Sequence, residues 1–312
     1  MKKLLSLIKL VRLPNLIITT MMMSFVYHGL MKAEGDVAFS LLVVSIVLVV
    51  AGGYVINDVF DVNIDAVNKP SKQVVGTILT ERQCRFFYWT LTILGLSCAL
   101  VSSVLKLQEG FYSISLFVVL LACLLYSYSS RYKQKLVIGN LIVSLSVAFA
   151  VFLPWLYEML YMSNHEALLA LNERFMIDSL YLVLVYTSFA FLTTLAREII
   201  KDMEDVDGDG LCHCRTIPLV WGMRPAAVIV AALLAILLAL LFIYSHALKY
   251  SMCLRWAALT IDVVKYLTAT ELLLVVFTLF NKDFCSKKML GILSAGMKII
   301  MLAGVISMLF VV

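Results

Sequence analysis

Residues 41–65 read LLVVSIVLVVAGGYVINDVFDVNID. The run from Leu41 to Ile56 carries no charge, and directly after it come Asn57, Asp58, Asp61 and Asp65. A segment that is apolar for so long and then turns acidic is a buried helix emerging into a polar medium, because ionised carboxylates inside hydrocarbon are costly. The pattern recurs 144 positions later, where the uncharged run Leu180 to Leu195 leads into Asp202, Asp205 and Asp209. Both motifs read D-x-x-D-x-x-x-D. At about 100° per residue, carboxylates at i, i+3 and i+7 fall within roughly 60° of arc, one stripe on one helix face. Six acids in two stripes repel one another unless cations neutralise them. Hard divalent ions take such oxygen ligands, and Mg²⁺ prefers one or two carboxylates together with substrate phosphates.

The composition says where the stripes sit. Of 312 residues 62% are hydrophobic and 14% charged, and the mean hydropathy is +0.99, which excludes an ordinary soluble domain and describes a polytopic membrane protein. Runs long enough to span, at about 20 residues each, fall near 14–31, 37–56, 86–104, 111–128, 138–158, 179–196, 219–245, 255–280 and 289–311. The expected fold is all-α, a bundle of about nine transmembrane helices forming a single domain over 1–312. With the N-terminus in the cytoplasm, 18 Lys and Arg fall inside and 5 outside, a strong positive-inside asymmetry. Both acidic motifs then lie on the cytoplasmic face. The net charge of +5 belongs mainly to that face and attracts anionic headgroups or an anionic substrate; nothing points to nucleic acid.

Other features are weighed against plainer readings. Leu4, Leu5, Ile8 and Val11 with Lys2, Lys3 and Lys9 suit an amphipathic helix on the cytoplasmic surface rather than a cleaved signal. Seven cysteines without a repeating spacing give no disulfide framework. Asp205, Asp207, Asp209 and Gly210 imitate a calcium loop, but its twelfth position is Thr216 where a bidentate Glu is required. Cys212, His213 and Cys214 lack the second ligand pair of a zinc site. Within the spans, Asp262 and Lys265 at i and i+3 are expected to pair, and Glu271 and Lys298 on consecutive helices to do the same. The two motifs end the second and sixth spans, so spans one to four correspond to five to eight in an approximate duplication. A bundle that brings the second and sixth helices together faces one stripe against the other.

Two metal-bearing stripes with cations in the following loops suit a diphosphate, which metal ions bridge and stabilise as a leaving group and lysine or arginine bind at the remaining oxygens. The loops carry Lys69 and Lys72, then Arg131, Lys133 and Lys135, then Arg197 and Lys201. The rest of the substrate is lipid among the apolar helices, and a prenyl diphosphate satisfies both halves. Ionisable groups within helices also mark ion pathways, so a cation transporter is the competing class; against it, the acids cluster at helix ends on one side.

At these residues the chain resembles the UbiA superfamily of intramembrane prenyltransferases, whose first motif is N-D-x-x-D-x-x-x-D and whose second is a D-x-x-D-type acidic motif. The resemblance extends to Arg12-Leu13-Pro14-Asn15, to Tyr128-Ser129-Ser130-Arg131-Tyr132-Lys133 and to Gly139-Asn140. It implies nine helices around a central cavity open to the cytoplasm and sideways to lipid. It implies Mg²⁺ held by Asn57, Asp58, Asp61, Asp65, Asp202, Asp205 and Asp209, with Asp58, Asp61, Asp202 and Asp205 central to catalysis. Substrate-binding roles then fall to Lys69, Lys72, Tyr128, Lys133, Arg197, Lys201 and Asn15. The implied partners are a prenyl diphosphate donor, a lipid-soluble acceptor and membrane lipids, and the expected location is a bacterial inner membrane with the site facing the cytoplasm. The stretch Arg197 to Asp209, with Arg215-Thr216-Ile217-Pro218 after it, is most similar to the digeranylgeranylglyceryl phosphate synthase branch, which implies a prenylated glycerol phosphate acceptor; an aromatic quinone precursor is the alternative. The first loop, Asn68-Lys69-Pro70-Ser71-Lys72-Gln73, carries lysines where the archaeal enzymes of that branch usually carry arginines.

Overall fold

The computed structural model describes residues 2–68, 73–107, 112–211, 214–249, 255–280 and 286–310, and among them the regular structure is helical. The helices are α1 (Lys2–Leu10), α2 (Leu13–Ser24, continued by a π-helical turn Phe25–Leu30), α3 (Val37–Phe60), α4 (Val62–Asn68), α5 (Glu81–Leu107), α6 (Tyr112–Ser127, continued by a π-helical turn Tyr128–Tyr132) and α7 (Ile138–Ser163). Then follow α8 (Glu166–Glu204), α9 (Val206–Leu211), α10 (Ile217–Val220), α11 (Met223–Lys249), α12 (Arg255–Phe280) and α13 (Lys287–Ser307). Seven of the described helices are long and apolar enough to cross a membrane: α3, α5, α6 with its π turn, α7, α8, α11 and α13. The expected nine also included α2, which with its π turn ends at Leu30, and α12, which carries Asp262, Lys265 and Glu271; neither is among the seven.

The chain forms two compact units, one of Met1–Lys133 with Phe149–Tyr181, the other of Gln134–Ala148 with Leu182–Val312. In the first, α3 is the central helix and packs chiefly on α5 and α6. The approach is close because of glycine: a Cβ on Gly95 of α5 would meet Val49 at 2.9 Å and the Ser45 carbonyl at 3.0 Å, and one on Gly53 would meet Leu125 of α6 at 3.0 Å. Without a hydrophobic drive between helices in lipid, such small-residue contacts let backbones approach and gain dispersion energy. The ends of α3 and α5 are specified locally. Asp36 accepts from the Phe39 N–H at 2.5 Å to cap α3, and Thr80 and Gln83 exchange reciprocal bonds of 3.1 and 3.3 Å at the start of α5, a capping box.

Two apolar clusters fill this unit. Tyr27, Phe39, Leu42, Ile46, Ala99, Ile114 and Tyr157 belong to one. Leu10, Leu16, Val55, Ile56, Val59, Val75, Leu79 and Tyr88 belong to the other, which lies beneath the first acidic motif. In the second unit α12 packs between α11 and α13. There Lys265 pairs with Asp262 at 2.5 Å and donates to Ser245 at 3.0 Å, the i, i+3 pair expected. Glu271 is 5% exposed and lies against Gly296 of α13.

Candidate functional site

Both acidic motifs are built on the same backbone plan. Asp58 occupies the last turn of α3, Asp61 stands at the break after Phe60 with φ −91° and ψ 2°, and Asp65 lies in α4. Likewise Asp202 occupies the last turn of α8, Asp205 stands at the break after Glu204, and Asp209 lies in α9. The motif does not ride on one straight helix, as the i, i+3, i+7 stripe supposed. Even so, backbone bonds bridge each break, from Asp61 N to Asn57 O at 3.0 Å and Asp65 N to Asp61 O at 2.8 Å, and from Asp205 N to Lys201 O at 2.9 Å and Asp209 N to Asp205 O at 3.1 Å. The repeat seen in sequence is therefore a repeat of local structure.

Around the first motif the carboxylates are held by named partners. Asn57 donates through Nδ2 to Asp61 Oδ2 at 2.7 Å, and Lys133 forms an ion pair with the same oxygen. Asp61 is 4% exposed. Burial works against the Lys133 charge, yet Asp61 first, and then Tyr128 and Asp65, hold its pKa above the ordinary lysine value. Lys133 is positioned by the π-helical turn after α6, where its N–H bonds to the Tyr128 carbonyl at 2.8 Å; such turns recur at functional sites. Arg12 reaches Asp58 from the start of α2, Nη2 to Oδ1 at 2.9 Å, with its guanidinium over the Tyr54 ring at 4.7 Å. Asn15 is exposed and donates to Tyr54 Oη at 3.2 Å. Tyr54 and Asp58 are one turn apart on α3, so Arg12 and Asn15 both address one face of that helix.

Around the second motif the partners differ in kind. Asn140, in the first turn of α7, donates to Asp202 Oδ2 at 2.8 Å. Arg197 and Lys201, expected to bind substrate, are both engaged by the buried Glu198, at 3.0 and 3.3 Å. Asp209 is 8% exposed. An exposed pair of 2.7 Å joins Asp207 to Lys287 at the start of α13. The next segment is tied down where the Arg215 N–H bonds to the Gln134 carbonyl at 3.0 Å. Lys69, Lys72, Cys212 and His213 lie outside the described residues.

Arg12, Tyr54, Asn140 and Glu198 carry these contacts, and none of them was assigned to the site from the sequence. Arg12 enters the sequence reading only in the Arg12-Leu13-Pro14-Asn15 motif of the resemblance. Its signal is an arginine followed by Leu-Pro at a helix start, with nothing local to pair it. For a divalent ion the donor set is chemically suited: carboxylate oxygens, plus Asn57 Oδ1, which is buried and has no hydrogen-bond partner. Among the described residues no three Asp, Glu, His or Cys side chains converge as a metal cage.

The model of the UbiA prenyltransferase family matches residues 16–280. The digeranylgeranylglyceryl phosphate synthase of Hyperthermus butylicus is 32% identical over 266 residues, 83% of this chain and 81% of that one. A solved digeranylgeranylglyceryl phosphate synthase structure superposes with a TM-score of 0.68 at 23% identity, covering 100% of this chain and 99% of that one. A UbiA homologue from Archaeoglobus fulgidus bound to Cd²⁺ gives a TM-score of 0.52 at 16% identity, over 97% and 99% of the two chains. These relatives are archaeal, whereas the expected location was a bacterial membrane.

Proposed function

This chain belongs to the UbiA prenyltransferase family, and on that premise we propose that it joins a polyprenyl group from a prenyl diphosphate to a prenylated glycerol phosphate, with Mg²⁺, at the cytoplasmic face of the membrane. The observation that carries the proposal is the recurrence of one acidic plan at the ends of α3 and α8, each Asp-bearing turn held by polar partners. The choice of acceptor rests on the 32% identity to a digeranylgeranylglyceryl phosphate synthase over 81% of its length. The cytoplasmic face follows from the distribution of Lys and Arg.

Asn57, Asp58, Asp61 and Asp65, and Asp202, Asp205 and Asp209, would hold the ions. Mg²⁺ when bound neutralises the diphosphate and assists its departure. Lys69, Lys72, Lys133, Arg197 and Lys201 contribute cationic donors for diphosphate oxygens, their charge opposite to its own, and Tyr128 contributes a neutral hydroxyl donor. Asn57 and Asn140 orient Asp61 and Asp202 so that fixed oxygens meet the substrate. The allylic carbon–oxygen bond breaks with its electron pair leaving on the diphosphate to give an allylic cation, and the acceptor hydroxyl oxygen bonds to that carbon as its proton passes to the released diphosphate. The apolar helices exclude water, which would otherwise capture the cation.

The test uses purified protein with labelled geranylgeranyl diphosphate at one concentration in one detergent. Geranylgeranylglyceryl phosphate should be prenylated in preference to 4-hydroxybenzoate or a dihydroxynaphthoate. Preference for an aromatic acceptor would reject the glycerol phosphate assignment and leave family membership intact.

A further inference from the structure

The carboxylates of the first motif already have cations. Arg12 holds Asp58 Oδ1 at 2.9 Å, and Asp61 Oδ2 receives both Asn57 Nδ2 at 2.7 Å and the Lys133 ammonium. Asp58, in the last turn of α3, and Asp61, at the break that follows it, are thus each matched by a positive side chain. The arrangement is specified, since Arg12 is placed by a left-handed backbone with φ 54° at the N-cap of α2, a conformation that a non-glycine residue adopts only where its surroundings enforce it. The second motif is different in kind, because Asp202 takes a neutral amide from Asn140 while the nearby Arg197 and Lys201 are drawn to Glu198.

We propose that Arg12 and Lys133 are resident counter-ions of the first motif, which make it accept a divalent ion together with a diphosphate and reject the bare ion. The inference rests on the prenyl-transfer reading above. A divalent ion arriving alone at Asp58 and Asp61 meets a guanidinium and an ammonium already bound to those groups. It must share oxygens beside like charge or drive two side-chain cations off the carboxylates they hold. An ion that arrives with a diphosphate brings the acceptors those cations need: the guanidinium and ammonium exchange carboxylate for diphosphate oxygens, and charge-assisted bonds are kept on both sides. Arg12 stays within reach during the exchange, because its guanidinium rests on the Tyr54 ring at 4.7 Å and that ring is fixed by Asn15 at 3.2 Å. Arg12 is in this sense a specificity residue for the metal–diphosphate pair.

The readout is Mn²⁺ binding to the detergent-solubilised full chain, followed by electron paramagnetic resonance, with Mn²⁺ alone and with Mn²⁺ plus inorganic pyrophosphate. Wild-type protein should bind Mn²⁺ weakly alone and more tightly with pyrophosphate. Arg12→Gln should tighten Mn²⁺ alone by roughly tenfold, the scale of one charged hydrogen bond lost to the ion, and shrink the pyrophosphate enhancement. The gain should vanish when Asp58→Asn is added. If Arg12→Gln does not fold, Lys133→Gln tests the same idea through Asp61. Unchanged or weaker Mn²⁺ binding in well-folded variants, while wild-type protein still shows pyrophosphate-dependent binding, overturns the counter-ion role alone. No Mn²⁺ binding by any form, with or without pyrophosphate, overturns it together with the metal-dependent reading.

Discussion

At the scale of single residues, the acids of the motifs and their polar partners act differently. Asp58→Ala or Asp202→Ala removes a proposed metal ligand, and prenyl transfer measured with saturating Mg²⁺ should fall to background while membrane insertion is unchanged; near-normal turnover in either variant would remove the metal assignment. Asn140→Ala leaves every acid in place but frees Asp202 from its 2.8 Å bond. Loss of an orienting partner of this kind costs about 10- to 100-fold in metal affinity or activity, so the Mg²⁺ concentration for half-maximal rate should rise with the yield of folded protein unaltered. A variant with the wild-type Mg²⁺ response would make Asn140 merely structural. The acids were legible in sequence because their spacing repeats. Asn140 entered the sequence reading only as part of Gly139-Asn140 and was given no role, because its contact with Asp202 closes over 62 positions.

At the scale of elements, close helix approach and turn geometry give predictions of opposite sign. Gly95→Val puts a branched side chain where a single Cβ already meets Val49 and the Ser45 carbonyl within 3.0 Å. Overpacking of this sort costs about 1–3 kcal/mol, and thermal unfolding in detergent should shift downward; an unchanged midpoint would mean that α3 and α5 can part without penalty. Val137, just ahead of α7, has φ 65°, a left-handed backbone costly for a β-branched residue. Val137→Gly relieves about 1 kcal/mol of that conflict, so its unfolding midpoint should rise. A fall would show that the valine side chain contributes more than the strain removes. The apolar runs predicted α3, α5, α7 and α13 well, since length and hydropathy are local properties. The breaks at Asp61 and Asp205 were not foreseen: the spacing is compatible with one continuous helix, and only the built backbone ends it there.

At the scale of the whole molecule, an enzyme and a transporter predict different observables from the same buried charges. Vesicles containing the protein should release diphosphate only when both prenyl diphosphate and an acceptor are supplied. EDTA should stop the release, and added Mg²⁺ or Mn²⁺ restore it. Mg²⁺ or proton flux without a prenyl substrate, and no product with any donor and acceptor, would place the chain with transporters despite its family. The half-buried ion pair Lys265–Asp262, with Lys265 also donating to Ser245, acts as a fastening within the second unit rather than a relay.

By itself the sequence determined that the chain is an all-helical membrane protein with two matched acidic motifs, because hydropathy and motif spacing are written residue by residue along the chain. It also pointed to the prenyltransferase family, through residues whose order alone carries the likeness. Only the tertiary structure decided which partner each acid has: Arg12 for Asp58, Asn57 and Lys133 for Asp61, Asn140 for Asp202. The physical reason is that a charged or hydrogen-bonded pair is set by distance and by how much water its groups lose. Those appear only when segments such as α2 and α3, 46 positions apart at their contact, are packed together.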